Sequence, residues 1–195
     1  MIKKFVGLIA ILALSGCATT YTYDGKKYDS NEKFQQAVDS SLSGKLSTIT
    51  PLPTPLTQKK LLFAIPSEAT LVTENVNRFT KINGKSPNAQ QNEIFENLSK
   101  STFKNIKVFF DAVQKKNIYS SVQFIEMQSM TASFPASADT DTLYFVEASQ
   151  GAGQWFYTSL KHGKQIFAYD RSNRTPEGGG LPAFVDAVQA QAIRD

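Results

Sequence analysis

Hydrophobic and polar positions change period several times along this chain, and each change delimits an element. The clearest stretch runs from about Ala89 to Lys116. There Ile94, Phe95, Leu98, Thr102, Phe103, Ile106, Phe109, Phe110 and Val113 recur at three- and four-residue steps, which predicts a long amphipathic helix. Ser99 to Thr102 weakens the stripe and is the place for a kink, and Asn117 supplies a stop. Leu61-Leu62-Phe63-Ala64-Ile65 is instead continuously apolar and is closed by Pro66, as in a strand buried on both faces. Leu71 to Ile82 is ambiguous, because Leu71, Val72, Val76, Phe79 and Ile82 fit either a loose strand or helical turns. Asn83-Gly84-Lys85-Ser86-Pro87 reads as a turn.

Beyond the long helix, Ile118 to Met127 reads as a strand and Gln128 to Thr140 as a polar loop. Thr142 to Ala148, Gln154 to Leu160 and Gln165 to Tyr169 read as three more strands. Gly151-Ala152-Gly153 and His162-Gly163-Lys164 form their turns, giving two successive antiparallel hairpins. Glu177-Gly178-Gly179-Gly180 is a flexible break before a helix that opens with Leu181-Pro182 and carries Phe184, Val185, Val188, Ala192 and Ile193. The expected class is α/β (α+β). A mixed sheet of about five strands carries the long helix and the C-terminal helix, and its first two strands are parallel with a right-handed crossover.

The N-terminal third has a different texture. Asp24-Gly25 between Tyr21-Thr22-Tyr23 and Lys27-Tyr28 is a two-residue hairpin signal. Ser30 can cap a helix through Leu42 with Phe34, Ala37, Val38 and Leu42 on one stripe, and Gly44 is expected to end it. Pro51, Pro53 and Pro55 favour an extended stretch, so residues 43–59 read as a linker. The division that follows is a signal segment 1–16, a tether 17–59 with a small hairpin and helix, and an α/β domain 60–195.

The first residues carry the sharpest motif. Lys3 and Lys4 precede a ten-residue apolar run, Phe5 to Leu14, and Leu14-Ser15-Gly16-Cys17 closes it. A run of that length rises only about 15 Å as a helix, half of what a bilayer needs, which fits a cleaved signal rather than a span. Leu14, Ser15, Gly16 and Cys17 resemble the lipobox of bacterial lipoproteins. The resemblance implies cleavage before Cys17, acylation of its thiol, and attachment to a membrane through lipid. Ala18 stands where an aspartate commonly marks inner-membrane retention in such lipoproteins, so the resemblance implies the periplasmic face of the outer membrane.

Composition narrows the chemistry. The formal charge of +4 drops to about +2 once Lys3 and Lys4 leave, 19 basic against 17 acidic side chains. Such a balance gives no case for binding nucleic acid. Cys17 is the only cysteine, so its acylation would leave no thiol for a disulfide, a nucleophile or a thiolate metal site, and with His162 the only histidine a structural zinc site is not expected. No cofactor and no metal is expected: Asp139, Asp141 and Glu147 lack calcium-loop spacing. Gln150-Gly151-Ala152-Gly153-Gln154 lacks the dinucleotide fingerprint. His162 reads as a turn residue, for no Gly-x-Ser-x-Gly elbow accompanies it or the acids Asp141 and Asp170. Lys59-Lys60, Lys115-Lys116 and Lys161/Lys164 read as solvated surface. Trp155, Phe156 and Tyr157 are consecutive in a strand, so aromatics project from both faces, and if helices do not cover both, one face shows them outward as a candidate partner surface.

The element order over residues 60–193 also resembles the small α/β domain of envelope lipoproteins of the curli-secretion CsgG type and the PelC type, and the N-terminal domain of TolB. Leu61 to Pro66, Thr140-Asp141-Thr142-Leu143-Tyr144-Phe145-Val146, and Trp155 to Tyr169 carry the likeness. The loop at 128–140 departs from it, since a further helix is expected there. The leading reading is a non-enzymatic, lipid-anchored subunit or accessory of an envelope assembly or secretion system, bound to another envelope protein or to itself. A lipoprotein that takes a small molecule or glycan under the 128–140 loop is the alternative. A hydrolase using His162 or paired carboxylates is the third.

Overall fold

The computed structural model describes residues 20–23, 25–129, 140–147, 154–159, 164–170 and 180–195, with backbone alone for 140–147, 154–156, 164, 165 and 168–170. Strands β1 (Tyr21–Tyr23) and β2 (Lys26–Tyr28) form the expected hairpin, with Tyr23 opposite Lys26 and Gly25 at φ +72°. Its three tyrosines close around Phe34, with ring centroids 5.5, 6.3 and 6.4 Å away. Phe34 lies in helix α1 (Asn31–Ser47), capped by Ser30 through the Lys33 amide. Gly44 does not end this helix, which runs one turn further to Thr48. A lone glycine costs only about 1 kcal/mol in a helix. Val38 and Leu42 before it and Ile49 after it are all buried, and burying them outweighs that cost.

Residues 43–59 are likewise not a free linker. The Leu52 amide donates to the Lys116 carbonyl and the Leu56 amide to the Ile118 carbonyl, both at 2.9 Å, and Asn117 Nδ2 donates to the Leu52 carbonyl. Thr57 already begins β3 (Thr57–Pro66). Val38, Leu42 and Ile49 belong to the same buried cluster as Leu61, Phe63, Phe109 and Phe184. The proline-rich segment is thus pinned at both ends, and the helix before it is a wall of the main core.

The ambiguous stretch is helix α2 (Glu68–Asn83), with Ser67 as N-cap and Gly84 at φ +67° as a left-handed C-cap. Helix α3 (Ala89–Lys116) follows without interruption, opened by an Asn88/Gln91 capping box and closed by Asn117 at φ 59°. Its weak point is a contact: Ser99 is fully buried and accepts a hydrogen bond from Asn75 Nδ2 of α2. Then come β4 (Tyr119–Met127), β5 (Thr140–Glu147), β6 (Gln154–Ser159), β7 (Lys164–Asp170) and α4 (Gly180–Arg194).

The large sheet has the order β4-β3-β5-β6-β7. Central β3 is parallel to β4 and β5, and β5, β6 and β7 are successive antiparallel neighbours. The expected class, a mixed five-stranded sheet carrying the long and C-terminal helices, is what the chain forms. Where the strands meet α3 and α4, the core is aromatic: Phe63, Phe109, Tyr157 and Phe184 lie within 4.2 to 6.2 Å of one another in centroid contacts. Aromatic pairs at such spacing add roughly 0.5–1.5 kcal/mol each beyond area burial.

The direction of α2 follows from its neighbours. Helix α3 must descend to the sheet's N-terminal end, because Asn117 and Ile118 lead directly into β4. The pairs Asn75–Ser99 and Phe79–Phe95 set α2 antiparallel to α3. Since α2 starts at the C-terminal end of β3, it runs away from the sheet. The outer halves of α2 and α3 therefore form a helical arm, whose buried Phe79–Phe95 pair lies outside the main core cluster.

Candidate interaction surface

Of the three consecutive aromatics in β6, Tyr157 is not a surface residue. It is 1% exposed and stacks on Phe109 at 5.5 Å. It also meets Phe184 at 4.2 Å. Alternation alone could not reveal this, because the face it points to is covered by α3 and α4, which the sequence places only through distant contacts. Trp155 pairs with Glu147 and Tyr169 in the backbone register and Phe156 with Val146 and Ala168; their side chains lie outside the described residues, as do Leu14, Ser15, Gly16, Cys17 and His162.

The acids considered for hydrolysis are not brought together along the sheet. Asp141 pairs with Leu61 at the N-terminal end of β5. Asp170 pairs with Gln154 at the opposite end of the sheet, about 20 Å away by strand rise. Among the described residues no group of three His, Cys, Asp or Glu side chains could hold a metal ion. Lys115 is structural: its ammonium donates to the carbonyls of Leu46 and Ser47 and closes the end of α1.

Of the expected 128–140 loop, Thr140 instead begins β5, and Gln128 and Ser129 at its start flank a cavity of about 190 Å³ also lined by Ala69, Thr70, Thr73 and Glu74. Two hydroxyls beside it are already committed. Ser67 Oγ caps the Thr70 amide at 3.1 Å and donates to Thr70 Oγ1, which in turn donates to the Met127 carbonyl at 2.9 Å. This relay ties the end of β4 to the start of α2. The volume falls below the roughly 300–1,000 Å³ usual for ligand pockets.

The surface that sequence reasoning missed is the rim of β4. Among the described residues this nine-residue strand is the end of the sheet, with β3 its single partner. Of the residues that commonly blunt an edge it contains no proline and no lysine and a single charge, Glu126, and its bulge lies across the ladder in β3 between Thr57 and Lys60. Beside it Phe103, Phe110 and Phe124 form a half-buried shelf, with Phe110 and Phe124 centroids 5.1 Å apart. Lys107 Nζ covers it, 5.2 Å from the Phe124 ring and 5.7 Å from the Phe103 ring. Burial pushes the Asp111 carboxyl above its ordinary value, and the nearby Lys107 charge only partly opposes this. On the other face of the strand Ile125 is 36% exposed. Pairing order, not pattern, makes this strand an edge. No family model, no curated protein and no solved structure matches the chain.

Proposed function

We propose that this protein is a lipid-anchored envelope protein that acts by binding another protein, as a subunit or accessory of an assembly at the periplasmic face of the outer membrane. The lipobox-like residues Leu14, Ser15, Gly16 and Cys17 support the anchor, and Ala18 supports the membrane. The observation that carries the binding role is the open β4 rim. Unpaired strand edges take a partner's extended segment through backbone hydrogen bonds, and neighbouring pockets select its side chains. Here Ile125 on one face and the Phe103, Phe110 and Phe124 shelf on the other would do the selecting. The small cavity at Thr73, Glu74, Gln128 and Ser129 gives a ligand-binding role less support.

Photo-crosslinking in the native membrane tests this. A photoreactive side chain at Ser121, Gln123 or Ile125 of the full acylated chain is expected to trap one envelope protein at stoichiometric yield. The same group at exposed Gln36 of α1 should trap none. Ile125→Lys should abolish the product, since a charge on the rim opposes strand addition. Equal, scattered yields from β4 and α1 would refute the binding role of this edge.

A further inference from the structure

The helical arm ends in a cationic tip. Residues 77–92 contain Arg78, Lys81 and Lys85 and no acidic residue, and the carboxylates of Glu74, Glu93 and Glu96 begin only behind that span. Lys81, Lys85 and Ser86 are exposed, and Ile82 is 60% exposed, among the most exposed of the described large hydrophobic residues. The buried pair that holds α2 to α3 is Phe79 with Phe95, and Ile82 stands outside it.

The chain's N-terminus leaves the fold at the same end. Three contacts align α1 with α3 in parallel: Gln35 with Ser101, Asp39 with Lys104, and the end of α1 with Lys115. The β1–β2 hairpin packs on Phe34, so it lies level with about Ser101 of α3. From there the arm tip is some 12 residues further along α3, about 18 Å of helix. Four peptide units separate Cys17 from Tyr21 and reach at most about 14 Å, to which the cysteine side chain and its glyceryl group add a few ångströms.

We infer that the arm tip, through Lys81, Ile82 and Lys85, rests on the anionic headgroups of the membrane that holds the lipid anchor. The inference rests on the acylation of Cys17 proposed above. Lysine ammoniums favour anionic lipid, and a single isoleucine at the interface adds apolar contact without committing the arm to insertion. Body and bilayer then touch at two points, the acylated cysteine and the tip. The sheet stands with the C-terminal ends of β3 and β4 toward the membrane and the Lys116–Ile118 end away from it.

The test uses the full acylated chain, in which the blocked Cys17 thiol leaves an engineered cysteine as the sole labelling site. Ser86→Cys carries an environment-sensitive fluorophore at the tip, and Gln114→Cys carries it about 20 Å beyond Ser101 at the other end of α3. In vesicles of phosphatidylglycerol and phosphatidylethanolamine, the tip probe should shift to the blue and be quenched by headgroup spin labels, while the probe at 114 stays in water. Vesicles of phosphatidylcholine alone, or Lys81→Gln with Lys85→Gln, should return the tip probe to water. The non-acylated Cys17→Ser chain should partition into the anionic vesicles about 30-fold less once both lysines are neutralised. A tip probe in water on anionic vesicles, with Cys17 shown acylated by mass spectrometry, overturns this inference alone. A tip that is dry only in native membranes, crosslinked to protein, also overturns it. An unmodified Cys17 overturns it together with the anchor.

Discussion

Leu42→Ala decides whether α1 is a wall of the core or a decoration on a tether. Leu42 is 4% exposed and belongs to the cluster that contains Val38, Ile49, Phe109 and Phe184. Truncating a leucine at such a site removes its transfer free energy and leaves a cavity, about 3 kcal/mol, in the lower half of the observed range. For a chain of this size that lowers the melting temperature by about 6–12 °C. The assay is thermal and urea unfolding of the mature chain with Cys17→Ser, followed by far-ultraviolet and near-ultraviolet circular dichroism. Ser40→Ala, on the exposed side of the same helix, should fall within about 0.5 kcal/mol of the parent. If α1 were part of a tether, Leu42→Ala would leave the main transition in place and remove only a fraction of the helical signal. A loss below about 0.5 kcal/mol with one unchanged transition would refute the packing argument.

The remaining predictions concern backbone and charge. Gly44 lies in the interior of α1 with nothing within 4 Å of an added Cβ, so Gly44→Ala should stabilise by about 0.5–1 kcal/mol. Gly84 is equally uncrowded but sits at φ +67°, so Gly84→Ala should destabilise by about 1 kcal/mol; denaturant melts giving both variants the same sign would refute the assignment. Lys33 hydrogen-bonds and attracts Asp29, holding its carboxyl below the ordinary 3.8. That stabilisation is therefore present above the ordinary carboxylate range and is lost as pH falls through the lowered folded value. Carbon-detected titration should show it, and Lys33→Gln should return Asp29 toward 3.8.

What could be read from sequence was local. The hairpin at Gly25, the Ser30 cap, the α3 stripe, the Asn117 stop and the β5–β6–β7 meander each depend on residues within a few positions of one another. What could not be read was distant. Residues 43–59 look like a spacer until Leu52 and Leu56 are seen to donate to carbonyls more than sixty residues away. Leu71 to Ile82 lacks a clean stripe because α2 packs mainly along α3 and touches the sheet only near its start, so Val72 and Val76 are half-buried and Ile82 is 60% exposed. Tyr157 and the β4 rim depend on sheet order, which no local pattern encodes. Hydrophobic type says that a residue can be buried; only topology says which face is covered.

The same correction to α1 changes what the proposed anchor can do. A flexible tether from Cys17 to Lys59 would let the α/β domain sweep a hemisphere and search far from the bilayer, to a contour length above 100 Å. Order from Tyr21 onward leaves four peptide units, about 14 Å of reach. A partner that adds a strand to β4 must then itself lie within one domain's height of the membrane. Its effective concentration is set by two-dimensional diffusion in that plane rather than by the volume of the compartment. Lengthening the chain with a flexible insert of about forty residues between Cys17 and Tyr21 should weaken capture at β4 without altering the fold, as the tether's effective concentration falls roughly with the three-halves power of its length. Unchanged crosslinking yield from Ile125 after that insertion would mean that the partner approaches from bulk solvent, and that short reach has no part in recognition.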